Sequence, residues 1–216
     1  MNQKILVGVI AAVALVAGIV GALYIAPPGS HSEAIPKYFQ SYPEPRVIAP
    51  FSLTDDEQNT FTEASLLGQW SLLFVGYTFC PDICPTTMAQ LNEIYPELQA
   101  IESSNPIRVI FVSVDPKRDT IDRLSEYVSY FNSEFVAVTG EHAALFPFVR
   151  NLGMMYAMAE STDNPNYLVD HSASVVLVDP QARVIGRFKP KREPGKLSIS
   201  DSQQILEDMP VIITKQ

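Results

Sequence analysis

Cysteine is nearly absent from this chain. There are two among 216 residues, Cys80 and Cys84, four positions apart. That excludes a disulfide-stapled scaffold and leaves a single close pair to be a disulfide, a redox couple or part of a metal site. The C-x-x-C spacing of thioredoxin-type oxidoreductases is missing. An excess of positive charge is missing too: 15 Lys and Arg stand against 24 Asp and Glu. Only Lys4 precedes Pro27 and no acidic residue does, which leaves 14 basic against 24 acidic side chains beyond it, a net charge of −10. Such a domain has no electrostatic reason to bind nucleic acid or an anionic lipid surface. No internal repeat is present, and no low-complexity segment beyond one proline-rich stretch.

Charge is wholly absent from Ile5 to Ala26, an apolar run with no polar face. At about 1.5 Å per residue, roughly 20 helical residues cross a bilayer core of about 30 Å. The run is also longer than a signal-peptide core of about 7–15 residues, the alternative reading. The chain therefore divides into a short cytoplasmic start (1–4), a transmembrane anchor (5–26), a proline-rich spacer (27–45) and a domain (46–216). Pro27 to Pro50 holds six prolines. Extended, it spans on the order of 60 Å, although Ile35, Tyr38, Phe39 and Tyr42 give part of it an apolar side that suits packing on the domain.

Beyond Arg46, strand and helix patterns alternate. Phe51–Leu53, Ser71–Tyr77, Ile107–Val114 and Phe135–Val138 are predicted strands. The run IRVIFVSV is of the kind buried on both faces. Helices are predicted over Thr86–Ile101, Thr120–Phe131, Glu141–Asn151 and Asp201–Met209. Ser174–Asp179 and Val184–Phe188 form a predicted hairpin. This order fits an α/β, thioredoxin-like fold: a mixed central sheet flanked by helices, behind one N-terminal transmembrane helix. In such sheets the site lies beyond the C-terminal ends of the strands. Cys80 falls there, between a strand and a helix.

Two thiols at i and i+4 share one side of a helical turn and can converge on a metal or close a disulfide. Pro81 and Pro85 are tolerated only in a first helical turn, which places the sulfurs at a helix N-terminus, where thiolate is stabilised. Asp170-His171-Ser172 precedes the strand Ser174–Asp179, in a loop that runs beside the cysteine helix in a thioredoxin-like sheet. Cys80, Cys84 and His171 then form a Cys₂His set. Thiolate suits Cu(I) and imidazole adds affinity for Cu(II), while zinc can use the same donors. Asp82 lies between the thiols, as a group that tunes the metal or as the cap of the turn. Asp115 follows a buried strand, as a support for a ligand or as a turn residue before Pro116. Met154, Met155 and Met158 read as core packing before copper ligands. His31 and His142 have no partner motif, and Lys189, Lys191 and Arg192 read as a solvated loop.

The segments FVGYTFCPDICP (74–85), VDPKRDT (114–120) and Asp170-His171-Ser172 together resemble the Sco/SenC family. That resemblance implies a copper protein, holding Cu(I) and Cu(II) through Cys80, Cys84 and His171. It also implies an assembly factor, and no turnover enzyme, for the dinuclear copper centre of cytochrome c oxidase subunit II or another copper protein. The alternative is a membrane-anchored thiol–disulfide oxidoreductase using Cys80 and Cys84. The expected setting is a bacterial inner membrane, with the domain, as a monomer, in the periplasm. Two departures from the family pattern are Val75, where an aromatic residue is usual, and the turn Pro180–Arg183, which lacks the usual glycine.

Overall fold

The computed structural model describes residues 2–25, 35–159 and 161–214, in two units, Met1–Ile35 and Pro36–Gln216. In the first unit, helix α1 (Gln3–Ile25) contains a 20-residue apolar span, Gln3–Ala22, with an 18-residue window of mean hydropathy 2.8. It is long and apolar enough to cross a membrane. Ala26, His31 and positions 27–34 of the expected spacer lie outside the described residues.

In the second unit the strand Phe39–Val47 (β1) is followed by Leu53–Asp55 (β2), Thr60–Phe61 (β3) and Trp70–Gly76 (β4). Helix Ile83–Gln99 (α2) leads to Ile107–Ser113 (β5), Ile121–Phe131 (α3), Val136–Thr139 (β6) and His142–Asn151 (α4). Then come Tyr156–Met158 (β7), Val169–His171 (β8), Val175–Val178 (β9), Arg183–Phe188 (β10) and Ser202–Ile213 (α5). Eight strands form one sheet in the order β1-β10-β9-β4-β5-β6-β2-β3. β4, β5 and β6 are parallel, and β9, β10, β1, β2 and β3 are joined to their neighbours antiparallel. Every residue of β4 is buried, as an apolar strand covered on both faces requires. The apolar faces of α2 and α3 are buried as their spacing predicts, through Met88, Leu91, Tyr95 and Leu98 in one and Leu124 and Val128 in the other. This mixed sheet flanked by helices is the thioredoxin-like architecture expected from the order of elements.

Three expectations need correction. The proline-rich spacer does not extend to residue 45: Phe39–Val47 is a strand of the sheet. An edge strand tolerates Pro43 and Pro45 because its outer side needs no donors, and the register against β10 shifts between Ser41 and Arg46, where the prolines fall. Asp208 anchors the start of this strand, accepting the backbone N–H groups of Lys37, Tyr38 and Phe39 at 2.9, 2.7 and 2.7 Å. Second, α5 runs through Pro210 to Ile213; its apolar face, with Met209 and Ile212 buried, outweighs one lost backbone bond. Third, His171 is not a loop residue. It closes β8, which pairs with β7 alone and sets His171 opposite Tyr156, so part of this segment's backbone is bonded within a ribbon of its own.

The turn between β9 and β10 explains one family departure. Ala182 has φ of 57°, a left-handed conformation that glycine adopts without penalty. Asp179 compensates by accepting the N–H groups of Gln181 and Arg183 and the Arg183 Nε. Releasing left-handed strain is worth about 1–2 kcal/mol, offset by about 0.5–1 kcal/mol of glycine's extra unfolded-state freedom. Ala182→Gly is therefore expected to raise Tm by a few degrees, roughly 2–4 °C per kcal/mol for a domain of this size, in a thermal melt.

Candidate metal centre

The parallel strands β4 and β5 end level, with Gly76 opposite Ser113. The chain leaving β4 makes a turn, Cys80 N–H to Tyr77 carbonyl at 3.2 Å, and then enters α2. Cys84 lies in the first turn of α2, whereas Cys80 precedes the helix by three positions. The Cys80 sulfur nevertheless faces the helix start, because the Cys84 N–H points to it at 3.5 Å. Gly76 is what lets Cys84 lie so close beneath: a Cβ there would stand 2.6 Å from Cys84 Sγ and 2.8 Å from Phe111 Cε2.

His171 arrives from the separate ribbon, as the last residue of β8. Its ring stands edge-on to Phe74 and Tyr77, each centroid 5.9 Å away. Nδ1 lies 3.3 Å from the Ser172 carbonyl, which can only accept. That contact assigns the proton to Nδ1 and leaves the Nε2 lone pair 3.4 Å from Cys84 Sγ. One ligand atom from each of Cys80, Cys84 and His171 lies within 4.8 Å of the others. Two sulfurs and one imidazole nitrogen thus converge, with both cysteines as free, buried thiols.

The two thiols are electrostatically unlike. Hydrogen bonding from the Cys84 thiol, aided by the N–H groups of Cys84 and Asp82, holds Cys80 well below the ordinary thiol range despite its burial. Burial, the hydrogen bond to Cys80 and its charge push Cys84 far up. The pair gives up its first proton readily, at Cys80, and retains the second. A soft cation displaces that second proton, since metal binding and proton release are coupled.

Asp82 is the exposed N-cap residue of α2, but its carboxylate makes no capping bond; its carbonyl receives Thr86 N–H and Oγ1–H at 3.3 and 2.7 Å. Asp115 is buried and bonded to Tyr167 and Arg118, not to a ligand. Met154 is in the core and Met158 packs against it, but Met155 is 71% exposed, so core packing does not extend to all three. His142 Nδ1 meets the Tyr156 hydroxyl at 2.9 Å. Lys191 pairs with Glu193 in a solvent-facing loop, as expected.

Residue reasoning from the sequence missed Asp119. Buried at the end of the turn after β5, it accepts Thr78 N–H at 2.9 Å, Thr78 Oγ1–H at 2.6 Å and Ser113 Oγ–H at 2.6 Å. Burial raises its pKa, against the pull of those three donors. It ties the segment before Cys80 to the end of β5. The detectable signal is a second carboxylate four positions after Asp115, directly beyond a fully apolar strand.

Overpacking at a tight contact costs about 1–3 kcal/mol. Gly76→Ala is expected to destabilise by that amount and to speed alkylation of Cys84 as its sulfur is displaced. Combining it with Cys84→Ala is expected to recover part of the lost stability in chemical denaturation.

The SCO1/SenC family profile matches residues 40–207. An SCO2-like protein of Rickettsia prowazekii is 34% identical over 144 residues, 66% of this chain and 69% of that protein. The mitochondrial SCO1 homolog of Homo sapiens is 29% identical over 157 residues, which cover 73% of this chain and about half, 52%, of the human protein. Among solved structures, Arabidopsis thaliana ScoI with copper bound matches with a TM-score of 0.66 and 29% identity, over 79% of this chain and 99% of that one. With the profile spanning most of its length and the solved fold matching its own, the chain belongs to the SCO1/SenC family.

Proposed function

We propose that this domain carries one copper ion, as Cu(I) or Cu(II), on Cys80 Sγ, Cys84 Sγ and His171 Nε2. In this reading it serves as a metallochaperone, an assembly factor for the dinuclear copper site of cytochrome c oxidase subunit II or of another copper protein. The convergence of those three donors within 4.8 Å carries the reading. Copper is the cargo. Thiolates favour Cu(I), and the imidazole permits Cu(II). Cys80 presents a ready thiolate at the protein surface side of the pair, Cys84 supplies the second on losing its proton, and Nδ1 protonation aims Nε2 at the ion.

Helix Gln3–Ile25 anchors the protein, with Lys4 on the cytoplasmic side of a bacterial inner membrane and the domain, a monomer, in the periplasm. Asp82 and Asp115 influence the site without ligating: one exposed beside Cys80, the other through Arg118 and Tyr167.

The asymmetry of the thiols favours a second reading. A Cys80 thiolate beside a protonated Cys84 is the arrangement of a dithiol reductant. Cys80 would attack a partner disulfide, expelling one thiolate; Cys84 would then displace the second, leaving a Cys80–Cys84 disulfide and a reduced partner.

Anaerobic copper titration of the full chain in detergent micelles, read by absorbance and electron paramagnetic resonance, tests the copper reading. Rapid catalytic reduction of a partner disulfide by copper-free protein carrying His171→Ala is the result that favours the reductant reading instead. Cys80→Ser and Cys84→Ser are expected to abolish tight Cu(I) binding, and His171→Ala to weaken copper binding by at least about tenfold with a changed Cu(II) spectrum. Equal affinity of His171→Ala and parent overturns the ligand assignment. Oxidising the pair to a disulfide is expected to remove Cu(I) binding. Undiminished binding by oxidised protein is the contrary result.

A further inference from the structure

The turn Asp115–Asp119 touches both halves of the site. On the cysteine side, Asp119 holds Thr78, and the Phe79 ring lies 4.8 Å from the Arg118 guanidinium and 4.1 Å from that of Arg123. On the histidine side, Asp115 accepts the Tyr167 hydroxyl, and Lys117 Nζ donates to the Thr162 carbonyl at 2.7 Å. Arg118 reaches both. It lies 3.5 Å over the Tyr167 ring, donates from Nη1 to the Pro165 carbonyl at 3.1 Å, and approaches Tyr77, whose ring is edge-on to His171, at 5.5 Å.

The ribbon that carries His171 needs such a tie. β7 and β8 have three residues each and pair only with one another, outside the eight-stranded sheet. A lone two-stranded ribbon is marginal in water. Backbone pairing in the sheet therefore positions the Cys84 segment, whereas His171 is held by side-chain packing. That packing runs through Tyr156, Tyr167 and Val169 in the core and the contact of its own ring with Phe74 of β4, to which Arg118 adds a polar tie. Arg118 is nearly buried, paired with Asp115, and its Nη2 has no hydrogen-bond partner among the described residues. Aromatic faces offset that unmet donor, which suits a planar guanidinium and not an ammonium.

We propose that Arg118 is a positioning residue that clamps the His171 ribbon to the Cys80 loop and so sets the separation of the imidazole from the two sulfurs. The proposal rests on the copper reading for its effect on metal affinity, but the clamp itself exists without metal.

The test uses the full chain in detergent micelles, with Arg118→Met and Arg118→Lys, each alone and combined with His171→Ala. Copper affinity by competition with a chelator is expected to fall about 10- to 100-fold for both Arg118 variants. The same changes on the His171→Ala background are expected to cost less than about twofold, because a clamp acting through His171 has nothing left to position. In metal-free protein, amide exchange across 156–171 is expected to quicken in Arg118→Met while β4 and β5 are unchanged. Unchanged affinity and exchange overturn the proposal, and so does an equal loss on both backgrounds. If His171→Ala alone leaves copper affinity intact, the copper reading fails and the metal-free exchange still decides the clamp. Should Arg118→Met not fold, Tyr167→Leu removes the ring beneath the guanidinium and carries the same expectations.

Discussion

Seven parallel pairs, from Trp70–Ile107 to Gly76–Ser113, bring β4 and β5 to an end at the same level. Both strands are almost wholly buried, so their registration is fixed by the core and not by the loops. From one end leaves the segment that bears Cys80 and Cys84. From the other leaves the turn Asp115–Asp119 that braces it. A slip of one residue would point Gly76 away from Cys84 and bring a side chain into the space the sulfur occupies. The donor geometry is therefore a consequence of strand pairing several residues away from any sulfur.

The division of labour between the thiols follows from the same placement. Cys84 is fully buried beneath the sheet end, in a setting that opposes charge. Cys80 lies at the margin, where backbone N–H groups at the start of α2 face its sulfur. Spacing of four residues produces this difference because it puts one thiol inside the helix and the other before it.

Much of this was legible in the residues. The fully apolar runs gave β4 and β5 within a residue or two at either end, and the two prolines flanking the cysteines marked a helix start. Cys80, Cys84 and His171 converge although 87 positions separate Cys84 from His171. What was not legible depends on neighbours that single-strand patterns do not record. Phe39–Val47 reads as a spacer because its prolines contradict a strand until an edge position is available to it. β7 and β8 are three residues long, too short for an alternating pattern to stand out. Asp119 stands out only once Thr78 and Ser113 are seen to enclose it.

The prolines of β1 have a further consequence, for neighbours and not for the fold. An open sheet edge is a template for pairing with another chain. Here the outermost strand on one side carries Pro43 and Pro45 at its break in register, and that on the other side, β3, is two residues long. Neither offers a long, regular row of donors and acceptors. A blunted edge keeps encounters between copies of this domain from growing into shared sheets.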